Sequence, residues 1–239
     1  MRAWIAASIA ALACGGISAL TASPAMSQTG GQTGAQSGIQ ASFDCRRAST
    51  DIERVICGDA RLAAADRAVA TAFRAAMRRF DAQAQAALQQ DQRWFNAGRA
   101  FTLPGDTRDR AAVRENMLTY MNERTRTLGR MTPPPGPGLV GRWQTAAGEV
   151  VVRSAGSGRV SVSISAAAPG NARWICDTGG QGAITGTGMA QQLTFADSGW
   201  RISVRREGQL LRVTESGSGT PPYCGANGFV QGLYFPVPL

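Results

Sequence analysis

The residues with the most distinctive chemistry in this chain are its cysteines. Cys45 and Cys57 stand twelve positions apart, Cys176 and Cys224 lie far downstream, and Cys14 precedes them all. A thiol can act as a nucleophile, a metal ligand or half of a disulfide. The chain has no histidine, and every one of its 25 basic residues is arginine. There is thus no Cys–His dyad, no Ser-His-Asp triad, no lysine Schiff base and no imidazole metal site. The 16 carboxylates leave a glycosidase-like acid–base pair conceivable, but no two of them stand in a recognisable catalytic context. The expectation is a non-enzymatic protein with no catalytic residue, no metal and no cofactor.

Disulfides are the remaining use, and they require an oxidising compartment. Arg2 is followed by an alanine-rich apolar run over 3–20, and Ser23-Pro24-Ala25 and Ala25-Met26-Ser27 both fit a small-x-small cleavage site. That pattern predicts a signal peptide over 1–27, export to the periplasm or beyond, and no integral membrane segment. Ala11-Leu12-Ala13-Cys14 has alanine where a lipobox usually has leucine, so a lipid anchor at Cys14 is not expected. Three pairings of the other four cysteines exist. Cys45–Cys57 with Cys176–Cys224 is preferred because each bond then stays within one half of the chain. Closing the 45–57 loop would remove about 3 kcal/mol of unfolded-state entropy.

Residues 28–41 are a Gly/Gln/Ser/Thr tract that cannot bury apolar surface and reads as a tether. Residues 42–130 are helical in pattern. Thr50 and Glu53 form a capping box, and Cys57-Gly58 stops the short helix that follows. Leu62, Val69, Phe73, Met77 and Phe80 recur at helical spacing, with Asp66 on the same stripe. A third segment over 83–101 carries Leu88, Gln92 and Phe95. Leu103-Pro104-Gly105-Asp106 breaks the chain, and Asp106 or Thr107 is placed to cap a last helix with Val113, Met117, Met121 and Leu128 inward. A short helix and three longer ones would make a small bundle.

These residues resemble the LprI-type lysozyme inhibitor N-terminal domain family over about ninety positions. The F-x-C start falls on Phe43 and Cys45, and the E-x-x-I-C turn on Glu53, Ile56 and Cys57. Leu62 and Asp66 match the L-x-x-x-D helix start. Gln92, Phe95 and Arg99 match Q-x-x-W-(x)3-R, and Arg124 and Leu128 match the closing R-x-x-x-L. Two positions depart: Phe95 replaces the usual tryptophan, with Trp94 beside it, and the cysteine usual after the arginine is absent. The resemblance makes Cys45–Cys57 the default pair. It implies a secreted helical module whose partner is lysozyme or another envelope protein. Asp66, Gln92, Arg99 and Arg124 are then either a contact patch or internal partners, and the second reading has Asp66 accepting from an arginine of a neighbouring helix.

Residues 131–138, M-T-P-P-P-G-P-G, read as a stiff linker. Past it the alternation has period two: strands are expected near 139–143, 149–153, 159–164, 173–176, 192–195, 200–205, 210–214 and 229–234, between Gly/Pro/Asn turns. The fold class is therefore α+β: a disulfide-tied helical bundle, then an antiparallel barrel or sandwich over 139–239. Gly141-Arg142-Trp143 and Gly232-Leu233-Tyr234 are similar to the ends of small lipocalin-like barrels. That implies an interior for an apolar ligand, unless Trp143 and Tyr234 fill it.

The formal charge of +9 turns attention to anionic partners. Export and the absence of any arginine run beyond pairs argue against nucleic acid. Two functions follow, inhibition of lysozyme by binding and capture of anionic wall or outer-membrane polymers. Residues 43–130 hold 16 arginines and 11 acids, so docking on a basic lysozyme would need a local acidic patch such as Asp44, Asp51, Glu53 and Asp59.

Overall fold

A computed structural model of the chain describes residues 38–102 and 110–239. The predicted signal peptide, Cys14, most of the tether, and the break and cap at 103–107 lie outside the described residues.

The helical half consists of α1 (Asp51–Cys57), α2 (Ala60–Met77), α3 (Ala82–Gly98) and α4 (Arg110–Arg130). Three of these start at a side-chain cap. Thr50 and Glu53 exchange the two bonds of a capping box ahead of α1. Asp59 accepts from Arg61 and Leu62 N–H at α2, and Asp81 accepts from Ala84 N–H at α3. At the other end of α4, Arg79 donates to the free carbonyls of Leu128 and Gly129, which places a cation on a helix C-terminus. Leu62, Val69, Leu88, Phe95, Met117, Met121 and Leu128 are buried together, as the helical spacing requires. A 3₁₀ turn, Arg99–Thr102, continues α3.

The second half is one antiparallel sheet of eight strands: β1 (Gly141–Gln144), β2 (Gly148–Ser154), β3 (Arg159–Ala167), β4 (Ile175–Ala183), β5 (Gln192–Asp197), β6 (Trp200–Glu207), β7 (Leu210–Ser216) and β8 (Gly232–Val237). Consecutive strands pair except β4 and β5, which are the two edges, and β8 returns to pair with β1 (Trp143 opposite Pro236). The meander therefore curls into a nearly closed barrel with its seam between β4 and β5. One backbone bridge, Thr185–Gln192, spans the lower seam, and Thr178 Oγ1 donates to Asp197 Oδ2 across its middle at 2.5 Å.

Strand β4 runs seven residues past the predicted 173–176, through Thr178-Gly179-Gly180-Gln181-Gly182-Ala183. Glycine ordinarily argues against a strand interior. Here a Cβ on Gly180 would lie 2.6 Å from Phe195 of β5, so the seam closes only because that side chain is missing. Strand β8 starts at Gly232 rather than 229, and the three residues before it belong to the long loop from β7.

The barrel interior is packed, not hollow. Trp143, Val150, Val152, Val162, Ile164, Phe195, Ile202, Val204, Val213 and Tyr234 share one core. Trp143 Nε1–H donates to Leu139 O and Tyr234 OH to Val230 O. The lipocalin-like apolar-ligand expectation meets an interior filled by these two rings and their neighbours. Arg206 also points inward from β6, its guanidinium 4.8 Å from the Trp143 ring centroid and one N–H on Gly208 O. Burial lowers its pKa.

Residues from 38 onward form one compact unit. Helices and sheet meet on the outside of β8: Phe235, Val237 and Leu210 lie in the same core as Phe80, Leu88, Leu128 and Met131, with Phe80 edge-on to Phe235 at 5.9 Å. The proline segment is docked at its start, where Met131 is fully buried and Thr132 N–H donates to Pro236 O.

Phe235→Ala should destabilise the protein by about 3–5 kcal/mol. It should lower the thermal transitions of the helical far-UV signal and of the buried-tryptophan near-UV signal together. Two separated transitions, with only one displaced, would contradict a shared core.

Candidate functional site

The module opens on a disulfide. Cys45–Cys57 ties a single 3₁₀ turn to the end of α1. Its geometry follows from the caps around it: Asp44 accepts from Arg46 N–H, and Glu53 accepts from the N–H groups of Ser49 and Thr50 at 2.7 and 2.9 Å. Those bonds to its charged form, with the Thr50 N–H first, pull the Glu53 carboxyl from 4.5 down to about 2. Phe43 is half-buried, and Ile56, Leu62 and Leu128 are fully buried, all in the helical core.

Four positions that resemble the family motif meet in one polar chain. Asp66 on α2 accepts Ser42 N–H through Oδ2 and Arg99 Nη1 through Oδ1, both at 2.8 Å. Arg99 also donates to Asn96 Oδ1, which takes a second bond from Gln92 Nε2. Gln92 Oε1 accepts from Arg124 Nε at 3.0 Å, and Arg124 Nη2 lies 2.7 Å from Asp91 Oδ2. Asp91 Oδ1 in turn accepts Ala146 N–H from the β1–β2 turn. The chain runs from the entry of the module, through α2, α3 and α4, into the barrel.

Phe95 stands at its centre, fully buried, with the guanidinium carbons of Arg99 and Arg124 5.8 and 5.5 Å from its ring centroid and Tyr120 stacked at 4.5 Å. A ring face attracts cations, which helps to hold the Arg124 guanidinium, whose Nη1 and Nη2 make no hydrogen bond. Burial raises the Tyr120 phenol above its ordinary value, and its OH donates to Phe95 O. These side chains hold three helices in register. Asp91, which carries the link to the barrel, was not among the residues singled out from the sequence. Its signal was position: one residue before Gln92, a carboxylate on the buried side of a helix.

The acidic patch does not stand free. Asp44 pairs with Arg46 at 3.0 Å, Asp51 with Arg54 at 2.7 Å and Asp59 with Arg114 at 3.7 Å, while Glu53 is spent on its cap. Among the open clefts beside α3 are two that meet the barrel. One of about 460 Å³ lies between α3 and the barrel rim, lined by Gln90, Asp91, Trp94, Arg212, Phe229 and Gln231 among others. The other, about 220 Å³, lies beyond Trp94 and Phe229 and reaches Trp174 and Arg173. A close backbone approach borders it: Gly170, at φ +89°, lies so near Gly98 O that a Cβ would overlap that oxygen. Cys176 and Cys224 are bonded, tying the β7–β8 loop, which supplies Phe229, to β4. Both disulfides are compatible with an oxidising, exported setting. No helix among the described residues is long and apolar enough to cross a membrane, and no group of three or more His, Cys, Asp or Glu among them is placed to hold a metal.

Comparison with protein-family models, with curated proteins and with solved structures returns no match.

Arg124→Ala should destabilise the fold by about 3–5 kcal/mol, because it strands the Asp91 charge in the interior. Adding Asp91→Ala should restore part of that loss, which a double-mutant cycle by urea unfolding would measure. Glu53 gives a pH-dependent prediction. Its pKa is lower folded than unfolded, so its stabilisation is complete above about pH 4.5 and disappears as the pH falls towards 2. The melting-temperature gap between wild type and Glu53→Gln should therefore be widest at neutral pH and close between pH 4.5 and 2.

Proposed function

We propose that this chain is an exported, non-enzymatic binding protein that inhibits lysozyme by docking on it through its helical half. The observation that carries this reading is the convergence of Asp66, Gln92, Phe95, Arg99 and Arg124. Residues that match the LprI-type motif form one connected interior, behind a Cys45–Cys57 loop closed as that module's default pair. Such an interior makes a rigid support for a contact surface, and preorganised surfaces lose less on binding.

The charges shape how that docking would work. Asp44, Asp51 and Asp59 are already neutralised by arginines, and the chain is basic overall. Long-range attraction to a basic enzyme is therefore weak, and apolar and hydrogen-bonded contacts would carry the affinity. Such contacts are insensitive to screening, whereas charge-driven binding is not.

Lysis of a peptidoglycan substrate by c-type lysozyme, with and without the mature protein, tests the reading. The expected result is dose-dependent inhibition that persists at physiological salt. No inhibition at either low or physiological salt would overturn it and favour capture of an anionic envelope polymer instead.

A further inference from the structure

The two clefts where α3 meets the barrel share a wall, and that wall is aromatic. Trp94 is stacked on Phe229, 5.6 Å between centroids and 7° from parallel, and Phe229 lies 5.4 Å from Trp174. Trp94 and Phe229 line both clefts, so each cleft has this aromatic pair on one side. Together the clefts fall within the size range of small-molecule and oligomer sites, about 300–1,000 Å³. Trp94 and Phe229 are only half-buried, whereas Trp174 behind them is buried in the barrel core like Trp143.

The polar groups along the clefts are spaced rather than clustered. Gln231 and Asn227 are exposed, and their side-chain amides make no hydrogen bond among the described residues. Arg173 stands at the far end, exposed, its guanidinium over the Phe101 ring and without an acidic partner among the described residues. At the near end Arg212 is neutralised by Glu207, its Nη2 at 2.6 Å and its Nε closer still. The apolar ring faces stand beside free amides, which a hydroxylated ligand can hydrogen-bond and an acyl chain cannot. They suit a ligand that is itself apolar on its faces and hydroxylated at its edges. The free cation adds a carboxylate to that description, since a guanidinium matches a carboxylate in a two-point fork.

From this we infer that the half-exposed aromatic surface of Trp94 and Phe229, shared by the two clefts, binds a glycan chain of pyranose rings bearing carboxylates. The rings lie on the aromatic pair, the hydroxyls meet Gln231 and Asn227, and a carboxylate meets Arg173. Binding of such a chain does not depend on whether lysozyme is inhibited.

The test uses the mature protein and three probes: hexagalacturonate, neutral chitohexaose and oleate, titrated at physiological salt by calorimetry and tryptophan fluorescence. The expected result is saturable binding of hexagalacturonate with a change in tryptophan emission, and weaker binding of chitohexaose. Trp94→Ala should lose about tenfold or more in affinity, the scale of a lost ring contact. Arg173→Gln, at an exposed position that leaves the fold intact, should bring hexagalacturonate down to the affinity of chitohexaose and leave chitohexaose unchanged. Binding of oleate in place of either sugar, binding of neither sugar, or an Arg173→Gln variant that still prefers hexagalacturonate would each overturn the inference.

Discussion

One buried ion pair sets the terms for the rest of this molecule. Arg124 and Asp91 meet almost without solvent, their side chains 2 % and 7 % exposed, at the point where α3, α4 and the first turn of the barrel converge. Charges taken out of water are tolerated only when geometry and further hydrogen bonds compensate. Here Gln92 takes the Arg124 Nε, Ala146 N–H takes the second Asp91 oxygen, and the Phe95 ring lies against the guanidinium. The compensating groups come from α3 and from the β1–β2 turn. These contacts coincide in one relative placement of helices and sheet, which is how a buried polar contact specifies an arrangement that apolar contacts alone leave loose. The apolar seam beside it, with Phe80, Leu128 and Met131 against Phe235 and Val237, supplies the bulk of the burial and little of the register.

Much of this was legible in the sequence because local chemistry decides it. The capping box at Thr50 and Glu53, the stop at Gly58, and the inward faces at Leu62, Leu88, Met117 and Leu128 follow from residue type and a period near 3.6. The alternation of Ile202 and Val204 against Arg201, Ser203 and Arg205 likewise follows from a period of two. The change of composition after the proline segment marks where helix gives way to sheet.

What was not legible depends on a second surface. The glycines of β4 fall outside the strand expected at 173–176 because their use, a close approach to Phe195, exists only when the seam closes. Arg206 breaks the alternation of its strand because its partner is the ring of Trp143, sixty-odd residues away. The outer face of β8 gave one usable signal. Leu233-Tyr234-Phe235 followed by Val237 is apolar on both faces, which marks a strand covered on both sides; the identity of the cover, the helical half, is not written there. Trp94 gave another, as a large aromatic one position off the buried stripe of α3.

The barrel ends where it begins. Strand β8 pairs with β1 across more than ninety residues, and the segment after α4 is held by the same strand through Thr132 and Pro236. The helices are built from near neighbours in sequence, whereas the floor on which they rest is made by the eighth strand in order. Loop-closure entropy makes such distant pairings slow to form. The order of assembly is thereby constrained: helices can form early, but Phe80, Leu128 and Met131 stay uncovered until β8 is in place. For a chain that emerges N-terminus first, Leu128 and Met131 wait about a hundred residues for their cover, and the seal comes last.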